Sequence, residues 1–112
     1  MAARILSPSD ESDGAFSVVE VTAAPNARVG LHVHDQDEEF YWVLEGEYRF
    51  TIDEEQFIAG PGGFVFIPRV TPHGWVVGDQ GGRTLISFAP RGGERVFREI
   101  AAAKAAGGDT PE

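Results

Sequence analysis

The sequence predicts an all-β fold, a sandwich or barrel built from many short strands. Fourteen glycines and seven prolines divide the 112 residues into short segments. Turns at such close intervals are typical of β-sandwiches and β-barrels. The segments between the turns are rich in β-branched and aromatic residues, which favour extended structure. A single segment, 94–106, has helical spacing, and we expect one C-terminal α-helix there.

The strands follow from the position of the turn residues. Glu45-Gly46 separates two extended runs, FYWVL and EYRFTI, which indicates a hairpin whose glycine supplies a positive φ. Asp53-Glu54 forms a second turn, and residues 60–63, GPGG, form a third. The predicted strands are 15–21, 29–34, 40–44, 47–52, 55–58, 64–67, 73–77 and 84–88.

The predicted helix rests on three apolar residues. Val96, Phe97 and Ile100 recur at helical spacing, alanines follow, and Gly107 is a suitable residue to end the helix. A chain of this length suits one compact domain. We therefore expect one domain over 1–112, with its core over about 15–100, a polar N-terminal segment at 1–14 and a disordered tail at 107–112.

Composition excludes several classes of partner. Eighteen acidic residues against nine basic residues give a net charge of -9. Nucleic acids and anionic membrane surfaces are bound through clusters of Lys and Arg, so we expect neither as a partner. The chain has no cysteine, which excludes disulfides and thiolate metal sites. No apolar run reaches the length of a signal peptide or a membrane helix, and we expect a cytoplasmic protein.

All three histidines belong to one pattern. His32 and His34 form an H-x-H pair, His73 follows a proline, and two glutamates, Glu38 and Glu39, come shortly after the pair. Residues i and i+2 of a strand point to the same face, so H-x-H directs two imidazoles to one point. Imidazoles and a carboxylate are common ligands of divalent transition metals. The alternative is that the pair is polar edge surface and His73 a core residue; the pattern as a whole favours a metal site.

The first half of this pattern resembles a motif of the cupin superfamily. That motif has a glycine, five residues, H-x-H, three or four residues, a glutamate, six residues and a glycine. His32, His34, Glu39 and Gly46 match it, and Asn26 stands where the leading glycine is usual. Of the two glutamates, Glu39 has the required six residues before Gly46. The resemblance therefore implies Glu39 as the carboxylate ligand.

The second cupin motif follows at the separation found in small microbial cupins. Gly62, Pro68 and His73 match it, while Val70 replaces a glycine and Val77 replaces an asparagine. The resemblance covers about residues 15–100. It implies a cupin jelly-roll β-barrel that holds one divalent metal ion near one end, with His32, His34, Glu39 and His73 as ligands. These ligand types suit Fe, Mn, Ni, Co, Zn or Cu.

Strand alternation then assigns the neighbours of the ligands. Tyr41 and Val43 share the face of Glu39, and Trp75 shares the face of His73. Tyr41 and Trp75 are candidate substrate-binding residues, although ordinary packing explains them equally well. The polar run 35–38 is expected to be a solvated loop beside the site.

The opposite face of the same strand carries Phe40, Trp42 and Leu44, which are large and apolar. An exposed stripe of this kind is an interface surface. Cupins are commonly homodimers, and we expect a homodimer, with the C-terminal helix as the alternative cover.

Three functions fit these expectations. The first is a metal-dependent enzyme that acts on a small aromatic or enolisable substrate, with Glu39 as the catalytic base. Residues 88–97 resemble the end of quercetin-dioxygenase-like cupins, which favours a dioxygenase. The second is a polyketide cyclase or isomerase that works without dioxygen. The third is a non-enzymatic protein that binds a metal or a small ligand.

Overall fold

The computed structural model describes residues 2–7 and 15–89, and these form nine β-strands. In chain order the strands are β1 Ala2–Ser7, β2 Ser17–Ala23, β3 Arg28–His32, β4 Glu38–Glu45, β5 Tyr48–Ile52, β6 Glu55–Ala59, β7 Phe64–Ile67, β8 His73–Val77 and β9 Gly82–Ala89. The all-β prediction is confirmed for this part of the chain. The predicted helix at 94–106 and the predicted tail at 107–112 lie outside the described residues. Nothing within the described part is a helix long and apolar enough to cross a bilayer.

Two antiparallel sheets make up the sandwich. One has five strands in the order β1-β2-β9-β4-β7, and the other has four in the order β3-β8-β5-β6. Strands β2, β4 and β9 lie side by side, although long stretches of chain separate them. This order brings residues that are distant in sequence to one end of the sandwich.

Strand β1 is an element that the sequence analysis did not assign. It pairs with β2 of the same chain, with Arg4 opposite Glu20. Arg4 lies 3.0 Å from Glu20, and Arg83 of β9 lies 3.2 Å from the same carboxylate. Arg83 also contacts Glu45 of β4 at 3.1 Å. These ion pairs join four neighbouring strands on the outer face of the sheet.

The interior is filled by alternate residues of both sheets. Among the described residues, fourteen hydrophobic residues form the buried core. The Tyr41 ring of β4 meets the Phe50 ring of β5 edge to face at 5.1 Å, and this contact joins the two sheets. Within the four-stranded sheet, Tyr48 of β5 meets Trp75 of β8 in the same way at 5.1 Å. Burial of a side chain of this size contributes about 1.5–3 kcal/mol.

Four aromatic side chains lie on the outer face of the five-stranded sheet and together form what we call the aromatic face: Phe40, Trp42, Phe64 and Phe66. Trp42 is 53% exposed and Phe64 55%, and their rings contact each other at 5.8 Å. Phe40 packs against Phe66 at 5.1 Å. The orientation expected for Phe40, Trp42 and Leu44 is confirmed, since none of the three is in the buried core.

Two of the non-glycine residues at positive φ stand where the cupin motifs have glycine. Asn26 has a φ of 61° and Val70 a φ of 59°. Asn tolerates this left-handed conformation, whereas a β-branched residue is strained there. The backbone N–H of Val70 donates a hydrogen bond to the carbonyl of His34 at 2.8 Å. The turn geometry that glycine normally supplies is therefore retained, and at Val70 it costs conformational energy.

Val70→Gly should stabilise the protein by about 0.5–1 kcal/mol. Relief of left-handed strain is worth about 1–2 kcal/mol, and the greater freedom of glycine in the unfolded chain returns about 0.5–1 kcal/mol of this. The Val70 side chain is 64% exposed, so its removal sacrifices little burial. Urea denaturation measures the difference. Asn26→Gly is the matched control and should change stability less; a Val70→Gly variant no more stable than the parent would contradict the strain.

Candidate metal centre

Four side chains from three parts of the chain meet at one end of the sandwich. His32 ends β3, His34 follows it, Glu39 lies on β4 and His73 begins β8. Their ligand atoms all lie within 4.8 Å of one another. The carboxylate comes from the five-stranded sheet, whereas His32 and His73 come from the four-stranded sheet. The structure thus brings together all four residues that the sequence analysis selected.

Backbone carbonyls orient two of the imidazoles. His32 Nδ1 lies 2.9 Å from the carbonyl oxygen of Gly30, and His73 Nδ1 lies 2.7 Å from that of Thr71. A carbonyl oxygen only accepts hydrogen bonds, so each Nδ1 carries the proton and donates it. The Nε2 atoms then face the cluster, which is the arrangement that proteins use to orient metal-bound histidines.

Glu39 is the buried negative charge of the cluster, with 1% of its surface exposed. Its Oε1 contacts His34 Nε2, and His73 Nε2 donates a hydrogen bond to the same atom at 3.3 Å. Burial opposes ionisation, but the hydrogen bonds from His34 and His73 outweigh it and lower the pKa of Glu39 to about 2. The second oxygen, Oε2, is buried and has no hydrogen-bond partner. The carboxylate is ionised and incompletely compensated.

The pKa values of His32 and His73 shift in opposite directions, although the charge of Glu39 acts to raise both. Burial lowers the pKa of His32, and the carbonyl of Gly30 offsets only part of that effect. Burial also acts to lower the pKa of His73, but the hydrogen bond and charge of Glu39 raise it above its ordinary value. The metal-free cluster therefore holds a proton on His73 more readily than on His32.

These donors fit a single divalent cation. Two ligands on opposite sides of a transition metal lie about 4.2 Å apart, because each bond is about 2.1 Å long. The donor atoms here lie within 4.8 Å of one another, close to that limit. An unpartnered carboxylate oxygen beside oriented Nε2 atoms is the charge and donor pattern that such a cation compensates. The donor types suit Fe, Mn, Ni, Co, Zn or Cu.

Tyr41 and Trp75 lie in the interior next to the cluster, and each is 3% exposed. Tyr41 follows Glu39 by two residues on β4, and Trp75 follows His73 by two residues on β8. Burial raises the pKa of Tyr41 well above its usual range, and the charge of Glu39 adds to the effect. The phenol therefore keeps its proton at neutral pH. Contact of either residue with a substrate stays a prediction.

Asp37 and Glu38 differ from the expectation of a solvated loop at 35–38, since Asp37 is 4% exposed and Glu38 lies in β4. Asp35 is exposed, as expected. Asp37 has the same parity as Glu39, so the alternation used for Glu39 also signals its burial. Glu38 has the opposite parity and lies 4.0 Å from Arg69.

Phe88 is a wall of the site that the sequence analysis did not select. Its ring meets the imidazole of His34 edge to face at 5.8 Å. Phe88 is directly opposite Glu39 in the pairing of β4 with β9, which places both side chains on the inner face. Nothing local in the sequence relates these residues, because β9 lies far along the chain.

Three known proteins illustrate the similarity of this chain to others in sequence or in structure. Quercetin 2,3-dioxygenase of Bacillus subtilis is 29% identical over 72 residues, which are 64% of this chain and 21% of that protein. The structure of KdgF from Halomonas sp. superposes with a TM-score of 0.75 at 20% identity, covering 83% of this chain and 81% of that one. The polyketide cyclase RemF from Streptomyces resistomycificus superposes with a TM-score of 0.68 at 29% identity, covering 80% and 64%. The chain spans less than half the length of the curated relatives it matches.

The family assignment rests on most of the described chain. The family model described as Cupin domain matches residues 19–87. That range runs from β2 to β9 and contains His32, His34, Glu39 and His73. Together with the two-sheet architecture and the buried cluster, the match shows that this chain belongs to the cupin family.

Proposed function

We propose that this cupin is a metal-dependent enzyme that acts on a small aromatic or enolisable compound. The observation that carries the proposal is the cluster of three imidazoles around the buried carboxylate of Glu39, whose Oε2 has no hydrogen-bond partner. A structural metal site is normally closed by its protein ligands, whereas a catalytic site keeps positions open. A six-coordinate cation held by His32, His34, Glu39 and His73 would keep two positions for a substrate.

A divalent cation in this site would supply Lewis acidity toward a substrate oxygen. The imidazoles of His32 and His73 are held for ligation by the carbonyls of Gly30 and Thr71. Phe88 and Trp75 are buried beside the cluster, so their rings exclude water from it. The protein's own contribution is therefore a dry, oriented set of donors.

Glu39 is the proposed base. Its Oε1 faces the histidines, and its carboxylate is the group that would accept a proton from the substrate. The hydrogen bonds that lower the pKa of Glu39 come from His34 and His73. Tyr41, protonated and buried on the same strand, offers no competing base.

The relatives support two versions of this chemistry. One is named a quercetin 2,3-dioxygenase and one a polyketide cyclase, each 29% identical to this chain. Removal of a proton by Glu39 would serve both, followed by reaction with dioxygen in the first and ring closure in the second. The dioxygenase is the first proposal, because residues 88–97 also resemble the sequence of that group.

Oxygen consumption distinguishes these versions. The protein is loaded separately with Fe²⁺, Mn²⁺, Ni²⁺ and Co²⁺ and mixed with quercetin in air, while an oxygen electrode and the absorbance of quercetin are recorded. The dioxygenase proposal expects dioxygen and quercetin to be consumed in equal molar amounts. Anaerobic turnover of an enolisable polyketide analogue would support the cyclase instead. Metal binding without turnover of either compound would contradict the enzyme and favour the binding protein.

Glu39→Gln should abolish turnover, by about 100-fold or more, while retaining some metal. The amide oxygen can still ligate but cannot accept the proton. Glu38→Gln is the matched control, since Glu38 precedes it on β4 and lies toward Arg69 on the outside. Both rates are measured per bound metal. Turnover by Glu39→Gln within a few-fold of the parent would remove Glu39 as the base.

Metal affinity should fall as the pH falls. His73 must lose a proton to ligate, and its pKa in the metal-free protein lies above the ordinary value of 6.5. Above that pKa no proton competes; below it the affinity should drop about tenfold per pH unit for each proton displaced. Equilibrium dialysis against Ni²⁺ between pH 8 and pH 5 measures this, and an unchanged affinity over that range would contradict ligation by His73.

We also propose that a second copy of the chain covers the aromatic face. Trp42→Asp places a charge at the centre of Phe40, Phe64 and Phe66 and should give a monomer or an insoluble protein. Val76→Asp is the control, because Val76 is 46% exposed on β8 of the other sheet. Sedimentation at micromolar concentration tests the proposal, and a monomeric parent protein would overturn it.

A further inference from the structure

The strand that carries His32 is irregular just before the histidine. β3 pairs with β8 through Arg28 with Val76 and Val29 with Trp75, and then through His32 with His73. Two residues, Gly30 and Leu31, therefore stand opposite Gly74 alone. This is a β-bulge, in which one extra residue bends one strand and redirects its side chains.

The bulge decides which way His32 faces. Val29 packs against the core beside Trp75. In a regular strand, residues three apart point to opposite faces, so His32 would face outward if Val29 faces inward. The extra residue reverses the alternation. His32 consequently lies opposite His73 and faces the same interior.

The bulge also supplies the hydrogen bond that orients His32. His32 Nδ1 donates to the carbonyl of Gly30, at 2.9 Å, and Gly30 is one of the two bulged residues. The same distortion thus brings the imidazole to the cluster and directs its Nε2 inward.

Gly74 leaves no room for a side chain under this bulge. A Cβ atom at Gly74 would lie 2.6 Å from the carbonyl oxygen of Val29 and 3.0 Å from the carbonyl carbon and oxygen of Gly30. These are backbone atoms of the partner strand, and they move only if the bulge moves. Glycine is thus required by contact with β3.

We infer that Gly74 is a positioning residue for the metal site. Its missing side chain admits the bulge, and the bulge places His32 opposite His73 with Nε2 toward Glu39. The inference rests on the proposed metal function, and it names a residue at a position that the second cupin motif leaves unspecified. Gly74 touches no ligand atom and acts through the backbone of Val29 and Gly30.

The test is Gly74→Ala in the full chain, loaded with Cu²⁺. Pulsed electron paramagnetic resonance counts the coordinated imidazoles, and competition titration gives the affinity. We expect one imidazole fewer than in the parent and a 10- to 100-fold weaker affinity, as for loss of a group that orients a ligand. An unchanged imidazole count with an affinity within twofold would overturn the inference.

Two glycine controls separate positioning from general destabilisation. Gly82→Ala puts a Cβ 2.6 Å from the Tyr48 ring and 2.7 Å from the carbonyl of Glu45, at the other end of β9 from Phe88. It should lower stability without lowering the imidazole count. Gly78 directly follows β8, the strand that carries Gly74, and a Cβ there would have its nearest neighbour at 3.6 Å. Gly78→Ala should change neither the stability nor the imidazole count. An equal loss of imidazole in Gly82→Ala would refute a specific role for Gly74.

A measurement without metal tests the inference independently of the proposed function. Long-range ¹H–¹⁵N spectra of the histidines report which ring nitrogen carries the proton. The parent should show His32 protonated at Nδ1, and Gly74→Ala should lose that state. If the parent bound no metal, the proposed function would fail, and an Nδ1 signal retained in Gly74→Ala would separately overturn the inference.

If Gly74→Ala does not fold, deletion of Leu31 provides a second test of the role of Gly74. The deletion leaves one residue opposite Gly74 and removes the bulge, so alanine should be tolerated at position 74 in that background. Recovery of soluble, folded protein by the double change supports the inference. Equal insolubility of Gly74→Ala with and without Leu31 would contradict it.

Discussion

The carboxylate of Glu39 is buried, and a buried charge is stable only when hydrogen bonds or opposite charge compensate it. His34, which lies between β3 and β4, and His73, which begins β8, supply that compensation. The contact with His73 ties β4 of one sheet to β8 of the other. Because Oε2 has no partner, the compensation is incomplete without a further positive charge. The packing of the two sheets at this end and the proposed chemistry thus both depend on the carboxylate of Glu39.

The inner faces of β4 and β8 follow from the sequence because both strands alternate regularly from Glu39 to Val43 and from His73 to Val77. Alternation places Glu39, Tyr41 and Val43 inward on β4, and His73, Trp75 and Val77 inward on β8, as the structure shows. Regular alternation needs no knowledge of partner strands. The four residues that the structure brings together were therefore accessible from motif spacing, and so was the choice of Glu39 over Glu38.

In strand β3, alternation alone does not predict the direction of His32. Alternation from Val29 alone directs His32 outward, and the bulge opposite Gly74 reverses it. A bulge depends on the facing strand, so the H-x-H spacing does not reveal it. Strand β1 was missed for a related reason: its sequence, AARILS, has little β-branched character, and it is held by pairing with β2 and by Arg4 with Glu20. Phe88 reaches the site through a long-range pairing of the same kind.

Departures from the cupin motifs fall on backbone geometry and leave the donors intact. Asn26 and Val70 adopt the positive φ of the glycines they replace. Val77, in place of an asparagine, is buried in the core at 1% exposure. The site is thus built on a backbone that keeps its shape under substitution, at the cost of strain at Val70.

The most direct measurement is a crystal structure of the metal-loaded protein with anomalous diffraction at the absorption edge of the bound metal. The account predicts one peak, about 2.0–2.2 Å from the Nε2 atoms of His32, His34 and His73 and from one oxygen of Glu39. A peak held by other residues, or histidine nitrogens more than about 4 Å from the peak, would contradict it.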